Sequence, residues 1–120
     1  MKKILIIIIV VIIISGCSTE SKIEKVSCND VKELQKQDNT VLIDVRTKEE
    51  YEEGHLENAI NIPLDTIETS IDNYEEIKKA SNLIVYCKSG IRSNEAATIL
   101  KEKEYLNIYD LGAMSNCNES

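Results

Sequence analysis

The sequence predicts a small α/β domain in three layers, with a central, mostly parallel five-stranded sheet flanked by helices. Two observations lead to this prediction. Segments rich in β-formers alternate with amphipathic segments, which is the order that right-handed crossovers produce in a parallel sheet. Residues 83–86 form a continuously apolar run, as in a central strand covered on both faces. Ligands bind such sheets beyond the carboxyl ends of the strands. The fold class therefore predicts a ligand-binding site in the loop that follows this run.

The N-terminal segment is typical of an export signal and not of the domain. Two lysines precede an unbroken run of eleven apolar residues, too few to span a bilayer comfortably as a permanent helix. Ile14-Ser15-Gly16-Cys17 resembles the lipobox of bacterial lipoproteins, in which the signal is cleaved before a cysteine that becomes acylated. We expect a signal peptide over 1–16, lipid on Cys17 and a polar tether over 17–25. An ordinary secretory signal or an uncleaved anchor is the alternative.

Charge limits the partners of the mature chain. Cleavage before Cys17 leaves 104 residues, enough for one small domain. Without the two signal lysines, 12 Lys and Arg stand against 21 Asp and Glu, a formal charge of −9. This surface repels nucleic acid and anionic lipid, so we expect no nucleic-acid partner and attachment to the membrane through lipid alone. The chain has no Trp or Phe, which predicts an aliphatic core.

The first elements follow from capping residues and β-rich runs. Val26 is expected in a short first strand. Ser27 or Asn29 can cap the helix that follows, because both side chains accept bonds from free backbone amides. Residues 40–44 are a compact β-rich run and form the predicted second strand.

The middle elements are marked by a capping box and a proline. Thr47 and Glu50 have capping-box spacing, so we predict a helix that begins there and ends at Gly54. Residues 59–62 form the predicted third strand. Pro63 ends it, since proline cannot donate to a strand ladder.

The last elements include a helix predicted from spacing alone. Ile71, Tyr74 and Ile77 recur every three residues, which predicts a helix from about residue 70 to 80 with one buried stripe. Three further elements complete the domain: a central strand over 83–86, a helix over 93–104 and a last strand over 108–111.

The loop after the central strand has the features of an activated thiolate. Cys87 leaves the strand and enters a polar loop that opens a helix. Such a turn aims backbone N–H groups at one point, and a helix N-terminus adds partial positive charge. Both effects favour ionised sulfur. Gly90 lets the backbone bend without a Cβ clash, and Arg92 adds a permanent cation.

The other cysteines leave their roles open. Besides Cys17 and Cys87 the chain has Cys28 and Cys117, so the mature domain holds an odd number of thiols. No pair has CxxC spacing, and we expect no metal site. Cys117 is a resolving thiol for Cys87, a cysteine in a C-terminal tail over 115–120, or a partner for Cys28.

Three separated motifs together resemble a single-domain rhodanese, a thiosulfate sulfurtransferase-like domain. They are Asp44-Val45-Arg46, the segment from Gly54-His55 through Asn61-Ile62-Pro63, and the loop 87–93. The resemblance covers nearly the whole mature domain, which we place at 26–114. The C-terminal end departs from the family, because many members have two glycines after the last strand and then an apolar, often Trp-bearing, segment.

The resemblance implies sulfane sulfur transfer through a persulfide on Cys87, without a cofactor. The donor would be thiosulfate or a persulfide, and the acceptor a thiol or cyanide. The loop has the six-residue sulfurtransferase length from Cys87 to Arg92, whereas related phosphatases and arsenate reductases use one residue more. The residues expected to bind the substrate or the persulfide are Lys88, Ser89, Gly90, Ile91, Arg92 and Ser93, with Lys88 and Arg92 attracting a dianionic donor.

Three motif residues are expected to be structural. Asp44 belongs to the first motif, Arg46 can pair with Glu50 near a helix start, and His55 can tie down the turn after Gly54. The leading prediction is therefore a lipid-anchored sulfurtransferase on the extracytoplasmic side of the cell membrane, acting on a small sulfur-containing substrate and a thiol acceptor. The alternatives are an exported thiol redox protein that uses Cys87 with Cys117, and a non-catalytic sulfur- or anion-binding module.

Overall fold

The computed structural model describes residues 20–117, and the predictions about the signal over 1–16 and lipid on Cys17 lie outside this range. The five described strands form one sheet in the order β1-β5-β4-β2-β3, and every neighbouring pair is parallel. The strands are β1 (Lys22–Lys25), β2 (Thr40–Asp44), β3 (Ala59–Asn61), β4 (Asn82–Cys87) and β5 (Asn107–Ala113). The helices are α1 (Cys28–Leu34), α2 (Lys48–Glu53), α3 (Leu64–Ser70) and α4 (Ile91–Glu102), with short 3-10 helices at Ile71–Asn73 and Met114–Cys117.

Helices cover both faces of the sheet, which confirms the predicted fold class. β4 is central and buried at every residue. On one face, sheet residues such as Val85 pack with Ile67 of α3 and Leu100 of α4. On the other face, Tyr86 and its neighbours pack with Val31 of α1. Each fully buried aliphatic side chain contributes roughly 1.5–3 kcal/mol to stability, so both layers help to hold β4 in place.

The domain begins earlier than the sequence indicates. The segment Lys22–Lys25, expected to be part of the tether, is strand β1, and Val26 follows it. β1 pairs in parallel with β5, from Lys22 beside Asn107 to Lys25 beside Asp110. It is an edge strand with mostly exposed side chains, so its composition resembles that of a linker.

The helix predicted over 70–80 is wrong, although its apolar stripe is buried. α3 ends at Ser70, and the chain continues in a 3-10 helix and turns. The amide of Tyr74 donates to the Ile71 carbonyl at 3.2 Å, and that of Ile77 donates to the Tyr74 carbonyl at 3.0 Å. Successive turns of this kind repeat every three residues, which is the spacing that resembled a helix.

The C-terminal segment is not a free tail as far as residue 117. Cys117 forms a disulfide with Cys28, and the side-chain amide of Asn116 donates to the Leu111 carbonyl at 2.8 Å. The tail predicted over 115–120 is therefore wrong for its first three residues. No helix within residues 20–117 is long and apolar enough to cross a bilayer.

Candidate functional site

Cys87 is the last residue of β4, and its side chain points towards α4. Its sulfur is fully buried and is a free thiol. The backbone amide of Gly90 donates to Sγ at 2.9 Å, and the amide of Ser93 donates at 3.3 Å. Donors aimed at one atom, together with the N-terminal end of α4, stabilise negative charge on that sulfur. The arrangement suits a thiolate or a persulfide at this position.

Gly90 gives the loop its shape. It stands immediately before α4 with φ +102°, a conformation that side chains with a Cβ rarely adopt. A Cβ there would meet its nearest neighbour, the Gly112 Cα, at 3.8 Å, so conformation and not space requires glycine. The Ser93 hydroxyl donates to the Gly90 carbonyl at 3.2 Å. This bond ties the start of α4 to the loop that faces the sulfur.

Arg92 is held by Glu50 of α2. Its Nη1 donates to Oε1 at 2.8 Å and its Nη2 to Oε2 at 3.2 Å, so both carboxylate oxygens are engaged. Glu50 Oε1 also accepts the Thr47 amide at 3.0 Å, which completes the predicted capping box. The hydrogen bond from Arg92, followed by that from the Thr47 backbone, lowers the pKa of Glu50 to about 2. The predicted pair of Arg46 with Glu50 is wrong, because a guanidinium from another helix reaches this carboxylate.

Arg46 instead pairs with Asp44. The Asp44 carboxylate is fully buried and accepts Nη2 of Arg46 at 2.7 Å and Nε at 3.0 Å. Arg46 Nη2 also donates to the Gly54 carbonyl at 2.6 Å. The hydrogen bond to Asp44 raises the pKa of Arg46, so the guanidinium stays charged. A buried carboxylate is stable here because its charge is paired and hydrogen-bonded.

The Tyr86 hydroxyl joins Asp44 to the backbone of Leu56, a connection that the sequence does not indicate. It donates to Asp44 Oδ2 at 2.9 Å and accepts the Leu56 amide at 3.0 Å. Burial is the main cause that raises the pKa of Tyr86, so the phenol stays protonated and remains a donor. Tyr86 and Cys87 are neighbours that point to opposite faces, so one holds the turn near residue 56 while the other faces α4.

His55 contacts α2 and the turn that follows it. Its Nδ1 lies 2.8 Å from the Tyr51 carbonyl, which can only accept, so Nδ1 carries the proton in this bond. The ring stacks on Tyr51 with centroids 3.7 Å apart. The Tyr51 hydroxyl in turn donates to the Ala59 carbonyl at 2.7 Å. These contacts fasten the turn after Gly54.

A cleft of about 370 Å³ opens beside the loop. Its lining residues are Arg46, Glu50, Glu53, Lys88, Met114 and Ser115. Lys88 and Ser89 are exposed, and Ile91 is 70% exposed at the loop surface. Cys87 is fully buried and does not line this cleft, so a donor reaches its sulfur only when atoms that cover it shift.

Cys117 forms a disulfide with Cys28, and this bond is its role in the structure. The Cα–Cα distance across the bond is 5.1 Å. Of the three roles considered from the sequence, pairing with Cys28 is the one observed. In this state Cys117 has no thiol to offer Cys87, so the structure contains a Cys28–Cys117 pair and not the alternative pair of Cys87 with Cys117. Within residues 20–117, no cluster of three or more His, Cys, Asp or Glu side chains could hold a metal ion.

Comparison with known proteins places most of the chain in a single protein family. The family described as "Rhodanese-like domain" matches residues 27–116. The tRNA uridine(34) hydroxylase of Buchnera aphidicola is 33% identical over 89 residues, covering 72% of this chain and 28% of that protein. The enzyme of the same name from Photorhabdus laumondii is 32% identical, with 72% and 25% covered. The chain thus spans about a quarter of the length of these relatives.

Solved structures agree on the fold. A rhodanese with anions from E. coli is 32% identical and superposes with a TM-score of 0.61, covering 68% of this chain and 94% of that one. The human single-domain sulfurtransferase superposes with a TM-score of 0.71 at 24% identity, covering 80% and 97%. At that identity, the second likeness concerns the fold alone.

Proposed function

This chain belongs to the rhodanese-like sulfurtransferase family, and on that premise we propose that it moves sulfane sulfur through a persulfide on Cys87. The donor is thiosulfate or another persulfide, and the acceptor is a thiol or cyanide. One observation supports this most directly: a free cysteine at the end of the central strand receives two backbone N–H groups at Sγ. That arrangement stabilises the Cys87 thiolate, both when it attacks the donor and when it is restored at the end of the cycle.

The proposed reaction has two displacements. The Cys87 thiolate attacks the outer sulfur of the donor, a new S–S bond forms, and the donor S–S bond breaks with its electron pair leaving on sulfite or on a thiolate. The acceptor thiolate or cyanide then attacks the outer sulfur of the Cys87 persulfide. The electron pair of that bond returns to Cys87, which restores the starting thiolate.

The tRNA hydroxylation named for the relatives is not part of this proposal. The chain covers about a quarter of those proteins. The full chain carries 21 acidic against 14 basic residues, an excess of negative charge that repels nucleic acid. Small sulfur compounds and thiols are the partners that we propose.

Mass spectrometry of the intact protein tests the Cys87 assignment. After incubation with thiosulfate, or separately with cysteine persulfide, we expect a gain of about 32 Da, the mass of one sulfur atom, with at least one donor. The Cys87→Ser variant should gain nothing, because it lacks the nucleophile. A Cys28→Ser, Cys117→Ser double variant is the matched control and should keep the gain. No gain in the wild type with either donor, or an unchanged gain in Cys87→Ser, would contradict the proposal.

We also propose that lipid on Cys17 anchors the protein on the extracytoplasmic side of the membrane. The sequence Ile14-Ser15-Gly16-Cys17 supports this, and so does the disulfide between Cys28 and Cys117, since disulfides are typical of oxidising compartments. In cells labelled with a fatty acid, Cys17→Ser should lose the label and leave the membrane fraction. Cys28→Ser should keep both properties. Retention of label in Cys17→Ser would contradict the anchor.

A further inference from the structure

Two of the three cations beside the active loop are already paired. Arg46 is bound by Asp44, and Arg92 is bound by Glu50 through two hydrogen bonds. Lys88 is exposed and makes no ion pair within residues 20–117. The sequence predicts that Arg92 attracts a dianionic donor. In the structure the Glu50 carboxylate already binds Arg92 and therefore competes with such a donor.

The negative charge of Glu53 offsets the positive charge of Lys88 in the cleft. Glu53 lines the cleft together with Glu50 and Lys88, and within residues 20–117 it makes no ion pair. The cleft thus presents about as many negative as positive side chains to an incoming donor.

The amides nearest the sulfur are also engaged. The N–H groups of Gly90 and Ser93 both donate to Sγ of Cys87. Glu50 uses two of the five N–H donors of Arg92, so a thiosulfate dianion bound to Arg92 would lie beside the Glu50 carboxylate or displace it. In either case the Glu50 carboxylate would lie near two further negative charges and a thiolate, which is unfavourable.

We propose that Glu50 makes this site selective for organic persulfides over thiosulfate. The inference rests on the proposed sulfurtransferase function and names its donor class. The Cys87 thiolate attacks the terminal sulfur of a protonated persulfide R–S–SH, the S–S bond breaks, and R–S⁻ leaves with the electron pair. The product Cys87–S–SH keeps the proton, so the single negative charge passes from Cys87 to R–S⁻. The same step with thiosulfate brings two more negative charges to the cleft.

Steady-state kinetics with the two donors test this inference. Cysteine persulfide, whose ammonium group offsets its carboxylate, is compared with thiosulfate, with cyanide as the acceptor. In Glu50→Gln we expect kcat/KM for thiosulfate to rise roughly fivefold through a lower KM, as for loss of one partly exposed charge. The value for cysteine persulfide should rise less or fall, so that the ratio of kcat/KM for thiosulfate to kcat/KM for cysteine persulfide increases in the variant. Glutamine still accepts the Thr47 amide, so the capping box is kept.

Controls separate selectivity from folding and from the function itself. Glu52→Gln removes a charge of the same helix that does not line the cleft, and it should leave both donors unchanged. High salt should reduce the difference between wild type and Glu50→Gln. An unchanged donor ratio in Glu50→Gln, or an equal loss with both donors, would overturn the inference. If neither donor loads Cys87 in the wild type, the proposed function itself fails.

Discussion

The Glu50 carboxylate binds two partners that lie in different parts of the fold. It accepts the Thr47 amide, which is local, and it binds the Arg92 guanidinium, which lies 42 residues away. Both interactions favour the ionised form, which is why the pKa of Glu50 falls to about 2 from an ordinary value of 4.5. The residue therefore supports α2 and the active loop at the same time.

This lowered pKa predicts how stability depends on pH. A carboxyl group whose pKa is lower in the folded state stabilises the fold fully above its ordinary pKa. The stabilisation is lost as the pH falls through the folded value, here between about pH 4.5 and 2. Because the ion pair is partly exposed, we expect it to contribute about 1 kcal/mol.

Denaturant unfolding of the wild type and of Glu50→Gln checks this prediction. Between about pH 5 and 2 the wild type should lose about 1 kcal/mol more free energy of unfolding than the variant. Other acidic residues titrate in both proteins, so their effects cancel in the difference. Parallel curves over this range would mean that the ion pair contributes nothing to stability.

At the scale of elements, local sequence patterns correctly indicate helices and strands whose signals come from neighbouring residues. The capping box at Thr47 and Glu50 marks the start of α2, and the apolar run over 83–86 marks β4. In both cases the signal comes from residues adjacent in sequence, whose interactions do not depend on the rest of the fold. The loop between β4 and α4 could be located for the same reason.

At two places the sequence pattern indicates the wrong element, because burial and secondary structure are separate properties. The stripe over 71–77 is buried, but consecutive turns bring it to the core where a helix was expected. Strand β1 is mostly exposed, and its place in the sheet comes from hydrogen bonds to β5. Periodicity reports which residues are buried, and it does not distinguish a helix from repeated turns.

For the molecule as a whole, the disulfide joins two distant parts of the chain. Cys28 opens α1 and Cys117 closes the C-terminal 3-10 helix, 89 residues later. The same 3-10 helix supplies Met114 and Ser115 to the cleft beside the loop. The disulfide therefore fastens one wall of the candidate active site to the other face of the sheet.

Removing this disulfide should destabilise the domain. The Cys28→Ser, Cys117→Ser double variant should unfold with about 2–5 kcal/mol less free energy, because the bond restricts the unfolded chain over a long loop. Urea denaturation measures the difference. The wild type treated with a reducing agent should match the double variant, and Cys87→Ser should retain the wild-type response to reduction. Equal stability of oxidised and reduced wild type would contradict a structural role for the bond.

The sequence by itself determined the α/β class, the position of the Cys87 loop and the caps of the first helices, because each depends on residues close together along the chain. Only the tertiary structure decided that Arg92 binds Glu50, that Tyr86 holds Asp44 and Leu56, and that Cys117 pairs with Cys28. These contacts join segments that meet only once the sheet has the order β1-β5-β4-β2-β3. No local pattern encodes that order, since it results from burying both faces of the central strand at once.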